Sequence, residues 1–372
     1  MDQVVARDAP ERRLRCACMA GIAVLAALSL AACGSSSKSS SSTSSSSSAA
    51  SSASSSAGAS TASSLKTGLK VFVVPKNLGN NYFTVADSVK TGGALAALAA
   101  LGESGTETSG SAATSASQLP AIQAAISKGA NVLILSATDP TALCPTLKAA
   151  MARGITVVTY DSDAPTCRDM FVNQASTAEI GTSEVDLLAK QVHDSGQIAI
   201  VSAAASATNQ NAWIGYMKQE LKKYPKMQLA SIVYGNDDPT TASQVTSGLL
   251  QRYPHLAGII SPTTVGIVAA AGVLDTAQYR GKVQLTGLGT PLSMKKFVDD
   301  GTVQAFELWN PAKLGYLAAY TAVNLASKKI TGASGQTFTA GNLGSYTIGA
   351  DDAVVLGPPQ VFDKGNIDQF NF

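Results

Sequence analysis

The sequence predicts an α/β protein built from two doubly wound parallel-sheet lobes. Three observations carry that prediction. Between Leu69 and Ser327, short apolar runs alternate with helical stretches, and repeated βα units build parallel sheets. The alternating region, about residues 66 to 372, is too long for one compact core and suits two lobes. Its amides, acids and aromatic rings gather between strand ends and the helices that follow, on the edge where open α/β sheets bind ligands.

The chain has 372 residues, and its beginning does not read as fold. Arg12, Arg13 and Arg15 precede the apolar run from Met19 to Ala32, which ends at Cys33. A basic region, an apolar region and small residues before the cut describe a secretory signal peptide over residues 1–32. The run is short for a membrane span. Leu30-Ala-Ala-Cys33 resembles the bacterial lipobox, which implies lipidation at Cys33. The alternative is an ordinary cleaved signal with an incidental cysteine. Residues 33–65 are the expected lipidated cysteine and a Ser-rich linker, a composition that buries too little apolar surface to order itself.

In the globular region, Leu69–Val74 reads as a buried strand followed by the loop Lys76–Phe83 and a helical stretch to about Leu101. Residues 102–116 are rich in Gly, Ser and Thr, so a strand there is weakly written. Leu119–Lys128 reads as helix and Asn131–Ser136 as strand. Asp139 and Pro140 have the form of an N-cap and first turn, and that helix ends at Gly154. The next strand, Ile155–Tyr160, runs directly into Asp161 and Asp163. Alternation continues with a helix over Ser176–His193, a strand over Gln197–Ser202 and a helix over Asn209–Lys223. Further strands are Met227–Tyr234, Leu256–Ser261, Val283–Thr286 and Val303–Leu308. Their helices are Thr241–Arg252, Thr264–Leu274, Pro291–Asp299 and Pro311–Ser327. The tail holds short apolar runs with little helical pattern.

Parallel sheets bring the strand-to-helix loops to one edge. Those loops carry Lys76, Asn80, Tyr82 and Phe83; Asp139; Asp161; Asn209, Gln210 and Trp213; Pro262 and Thr264; Gly289; and Trp309 with Asn310. Amides, carboxylates and a lysine offer fixed donors and acceptors for hydroxyls. Flat rings suit the C–H face of a sugar. Read singly, each of these residues is equally a core ring or a helix cap, Asp139 above all. Seven loops of one character point to a hydroxylated ligand.

Other classes are disfavoured. The net charge is +2 with no Lys/Arg run, so nucleic acid is not an expected partner. His193 and His255 are the chain's two histidines, and neither lies in the loop set. No catalytic, phosphate-cradling or metal-spaced motif is present, and no cofactor or metal is expected. Asp161 and Asp163 could pair as acid and base for glycoside cleavage, but no third group orients them. With Cys16, Cys18 and Cys33 in or beside the signal, Cys144 and Cys167 remain, either as a disulfide of an exported domain or as two buried thiols.

The globular region resembles the type I periplasmic-binding-protein family, the sugar-binding lipoproteins and periplasmic proteins of ABC importers. Ala207-Thr-Asn-Gln-Asn-Ala-Trp213, Ser261-Pro-Thr-Thr-Val-Gly266, Thr286-Gly-Leu-Gly-Thr-Pro291 and Leu308-Trp-Asn-Pro-Ala-Lys-Leu-Gly-Tyr316 are similar to rhamnose-binding proteins. Val74-Pro-Lys76, Leu143-Cys-Pro145 and Asp161-Ser-Asp-Ala-Pro-Thr-Cys-Arg168 look more like autoinducer-2-binding proteins, which carry both cysteines. The autoinducer-2 binders contact ligand through a first-loop lysine, matched by Lys76. They also use an Asp-Gln pair, where this chain has Asn209 and Gln210, and a Pro-x-Ala, where it has Pro262 and Thr264. Their aspartate after Ser-x-x-Pro is replaced by Thr141, with an acid at Asp139 instead. These departures favour a sugar.

The resemblance implies two lobes joined by a three-strand hinge. They fall at about 66–162 plus 290–327 for the N-terminal lobe and 163–289 plus 328–372 for the C-terminal lobe. It also implies that the lobes close on a small rhamnose-like sugar, with autoinducer-2 as the alternative. A monomer, tethered by its lipid outside the membrane and serving an ABC permease, is expected, and an enzyme is not. Asp161 is expected to face the cleft, and Cys167 to join Cys144 beside the hinge.

Overall fold

The computed structural model describes residues 64–372. The expected signal peptide, Cys33 and the Ser-rich segment through residue 63 lie outside the described residues. The first half runs β1 (Lys70–Val74), α1 (Asn81–Asp87), α2 (Ala94–Ala100), β2 (Ser104–Glu107), α3 (Ser115–Ser127), β3 (Val132–Leu135), α4 (Pro140–Ala152), β4 (Thr156–Tyr160) and β5 (Met170–Asn173). Next come α5 (Thr177–Gln191), β6 (Ser195–Ser202), α6 (Thr208–Glu220), β7 (Lys226–Tyr234), α7 (Pro239–Arg252), β8 (Leu256–Ser261), α8 (Thr264–Leu274), β9 (Gln284–Gly287), α9 (Pro291–Asp299), β10 (Ala305–Leu308) and α10 (Pro311–Ala326). The chain closes with β11 (Thr337–Thr339), β12 (Ser345–Thr347), β13 (Ala353–Val355) and β14 (Gln360–Asp363).

Two parallel sheets result, in the doubly wound arrangement the sequence predicts. The first has the order β13-β5-β4-β3-β1-β2 and the second the order β7-β6-β8-β9. β3, inside the first sheet, is apolar throughout with all of Val132–Leu135 buried, because helices cover both faces of a parallel sheet. β10 pairs antiparallel with β14 and touches the second sheet through a parallel bridge from Glu307 to Leu288. Strand order reverses between β1 and β3 in one sheet and between β6 and β8 in the other. Such switch points open crevices for ligands at the strands' carboxyl ends.

The weakly written strand exists as β2, and the helical stretch after Asn80 is two helices broken at Ser88–Gly93. The break lets α10 pack closely, since a Cβ at Gly315 would lie 1.9 Å from the Ala86 carbonyl oxygen. The expected division between residues 162 and 163 needs correction. β5 follows it and pairs with β4 in the first sheet, while β13 adds beside β5. The excursion Asp161–Asp169 returns the chain to the sheet it left, braced by the Cys144–Cys167 disulfide and by Arg168 on Asp163 at 3.2 Å. The division at residues 289 and 290 needs the same correction, because α9 packs on α8 and β10 adjoins β9, whereas α10 covers β4 and β5. The chain therefore changes sheet after β5, between β10 and α10, and between β13 and β14.

Two acids lie in the core of the second sheet. Glu184 on α5 is fully buried with neither carboxyl oxygen hydrogen-bonded, and Glu307 accepts from Ser183 Oγ at 2.6 Å. Burial raises both, Glu307 from the usual 4.5 to about 8, and proximity to Glu307 raises Glu184 further. A raised folded pKa means that the folded state holds the proton more tightly than the unfolded chain. The stability contributed is complete below about 4.5 and is lost as pH climbs through about 8. Glu307→Gln is expected to flatten the pH dependence of the melting temperature over that window. It should also raise stability at the alkaline end by a few kcal/mol, since each tenfold difference in proton affinity is worth roughly 1.4 kcal/mol. Thermal melts of both proteins from pH 4.5 to 8.5 check it.

Candidate ligand-binding site

The pocket sits where both switch points meet. At the first, β1 delivers Lys76 and β4 delivers Asp161, whose backbone is left-handed (φ 60°). Gln118 of α3 ties these loops together. Its amide nitrogen donates to the Pro75 and Ser136 carbonyls at 3.0 and 2.7 Å, and its oxygen accepts from Thr138. Ser136 in turn donates to Asp161 Oδ2 at 2.6 Å, and Lys76 Nζ lies 3.4 Å from the same oxygen. Both charged side chains are buried, so each depends on the other and on the surrounding hydrogen bonds to offset desolvation.

The second sheet supplies the opposite wall. After β6, Asn209 and Gln210 enter with the first turn of α6. Gln210 Oε1 accepts from Ser202 Oγ and the Ala203 amide at 2.6 and 2.7 Å, so its Nε2 donors are what it can offer a ligand. Asn209 Nδ2 donates to Asp161 Oδ1 at 3.4 Å, linking the two walls. After β8 come Pro262, Thr263 and Thr264. Gly287 ends β9 at φ 142°, where a Cβ would lie 2.0 Å from the Ser261 carbonyl oxygen.

Four rings close the pocket. Trp309 Nε1 donates to Tyr82 Oη at 2.8 Å, and the two rings stand edge to face at 6.1 Å. Trp213 lies 6.1 Å from Trp309 at a tilt of 57°, and Phe83 packs edge-on against Tyr82 at 5.1 Å. All four are at most 4% exposed. Burial, then the charge of Asp161, pushes the Tyr82 hydroxyl well above its ordinary value, so it remains a neutral donor. The space between these walls, counting what is open to solvent, is about 360 Å³.

Most of the expected residues come together here: Lys76, Asn80, Tyr82, Phe83, Asp161, Asn209, Gln210, Trp213, Pro262, Thr264 and Trp309 all line this pocket. Three do not. Asp139 caps α4, accepting from Thr141 and Ala142, and Asn310 caps α10 by accepting from Lys313 at 3.1 Å. Gly289 packs under Met294 and Phe306. Asn80 both caps α1 and lines the pocket.

Sequence reasoning missed Asp237, in the loop after β7. Asn236 and Asp237 are both left-handed (φ 56° and 50°), a conformation costing roughly 1–2 kcal/mol each for a residue with a Cβ. Thr263 Oγ1 donates to Asp237 Oδ1, and burial raises the acid although Lys76 pulls it down. The signal was available, because Asn236-Asp-Asp-Pro239 is one more polar strand-to-helix loop on the same edge.

The comparisons agree with this architecture. Residues 71–330 match the periplasmic binding protein domain. A sugar ABC transporter protein from Actinomyces odontolyticus is 44% identical, over 82% of this chain and 98% of that one, with a TM-score of 0.64. An ABC transporter solute binding protein from Clostridium phytofermentas with bound L-rhamnose is 36% identical over 82% and 98%, with a TM-score of 0.78. LsrB from Clostridium saccharobutylicum in complex with AI-2 shares the fold at 24% identity, over 82% and 100%, with a TM-score of 0.76.

The chain belongs to the periplasmic binding protein family. It is a sugar ABC transporter substrate-binding protein of extracytoplasmic class, and these relatives are solute-binding proteins, not enzymes. Among the described residues, no helix is long and apolar enough to cross a membrane.

Proposed function

We propose that this protein captures a rhamnose-like deoxyhexose outside the membrane, anchored there through lipidated Cys33, and presents it as a monomer to an ABC permease. The observation that carries the reading is one pocket in which Lys76–Asp161, Asn209, Gln210 and Asp237 face Trp213 and Trp309. The polar set grips ring hydroxyls, and the indoles meet the C–H face and the methyl of a deoxy sugar. The relative with bound L-rhamnose, at 36% identity, supports the ligand class. Closing is a hinge motion about the three chain crossings. The lobes it brings together are residues 64–175 with 310–356, and 176–309 with 357–372, and ligand contacts made to both bias it.

Autoinducer-2 is the second reading. Lys76, Gln210 and Pro262 stand at the ligand positions of its binders and favour it, whereas Asn209 in place of an acid counts against it. A thermal-shift screen over pentoses, deoxyhexoses, hexoses and autoinducer-2 tests both, because a ligand bound only by the folded state raises the melting temperature. L-rhamnose is expected to give the largest rise, about 2.7 kcal/mol of stabilisation at a hundredfold excess over Kd. A rise with autoinducer-2 alone would replace the sugar.

A further inference from the structure

A second and larger cavity adjoins the first. It encloses about 1010 Å³ including space open to solvent, between the Asn77–Asn81 loop and the α7–α8 face, and it shares Asn80, Asp237 and Thr264 with the inner pocket. We propose that it is a second glycosyl subsite, so that the natural ligand is a disaccharide or glycoside whose first ring fills the inner pocket. The inference rests on the reading of the inner pocket as a sugar site.

Three features favour a second sugar ring there. Asn80, Asp237 and Thr264 wall both spaces, so a glycosidic bond joining a ring in one to a ring in the other would run beside these three residues. The groove wall mixes hydroxyls, amides and acids (Ser243, Asn81, Asp238 among them) with aliphatic faces (Leu78, Val265, Val268) and carries no aromatic ring. That chemistry suits a hydroxylated ring held by its edges, and Leu78, 42% exposed, offers it an aliphatic face. Asn77 also lines the groove and is 7% exposed, yet its Oδ1 has no hydrogen-bond partner and its amide nitrogen reaches only the Leu78 carbonyl at 3.5 Å. A buried amide so weakly held is costly unless something else satisfies it, and a hydroxylated ring in the groove that Asn77 lines would supply such a partner.

Calorimetry with three pairs tests the proposal: L-rhamnose and rutinose, D-galactose and melibiose, D-glucose and cellobiose. At least one disaccharide is expected to bind tenfold or more tightly than its monosaccharide. Ser243→Trp, which fills the groove, should weaken that disaccharide at least tenfold, and Leu78→Ala about threefold. Both should leave the monosaccharide within twofold, which also shows that the variants fold. A monosaccharide that binds while every disaccharide is rejected, or disaccharide affinity unmoved by Ser243→Trp, overturns the subsite and spares the inner site. Binding of none of the six overturns both.

Discussion

Lys76→Met is expected to abolish sugar binding, weakening it at least a hundredfold, and to destabilise the protein by about 3 kcal/mol. The lysine amine is Asp161's cationic partner, 3.4 Å away, and both side chains are under one-tenth exposed. Removing one partner of a buried pair leaves the other charge without compensation, which costs more than the intact pair contributes. Ser136 and Asn209 still donate to the carboxylate, so the cost should fall at the low end of the range for such pairs. The Lys76→Met, Asp161→Asn double variant should regain most of the stability and none of the binding. Urea titrations and calorimetry separate the two effects. Additive stability losses in the double variant would show that the pair is not coupled.

Trp309→Ala should cost about 4 kcal/mol of stability, within the range for deleting a large buried aromatic, and should also reduce affinity at least a hundredfold. The ring touches Tyr82 and Trp213, its Nε1 donates to the Tyr82 hydroxyl, and it sits where the chain leaves β10 for α10. Its loss merges the new cavity with the pocket and leaves a buried hydroxyl short of its donor. Trp309→Phe keeps a flat face and loses only the donor, so its affinity should fall by about tenfold or less, in line with one hydrogen bond. Equal losses in both variants would mean that the hydrogen bond to Tyr82, and not the ring face, governs the site.

The alternation of strands and helices was legible because buried parallel strands are written as short apolar runs. β5 was not, because Met170–Asn173 alternates buried with half-buried residues instead of forming an apolar run, and its pairing with β4 and β13 is what makes it a strand. The same gap displaced the lobe boundary, since which sheet a strand joins is decided by long-range pairing and not by local pattern. At the site, amide and acid side chains serve helix caps and ligands alike. Asp139 and Asn310 are caps, Asn80 is both, and no spacing rule separates the cases. Asp237 is placed by two left-handed residues braced on Thr263, a backbone choice that the residue types alone do not announce.

Trp213 and Trp309 are the chain's two tryptophans, and both stand in one pocket 6.1 Å apart. Intrinsic emission excited above the tyrosine band therefore arises solely from the ligand cavity, with no background from elsewhere in the molecule. The protein is its own optical gauge. Titrations and stopped-flow traces can be read without a label, and every spectral change reports on the cavity itself.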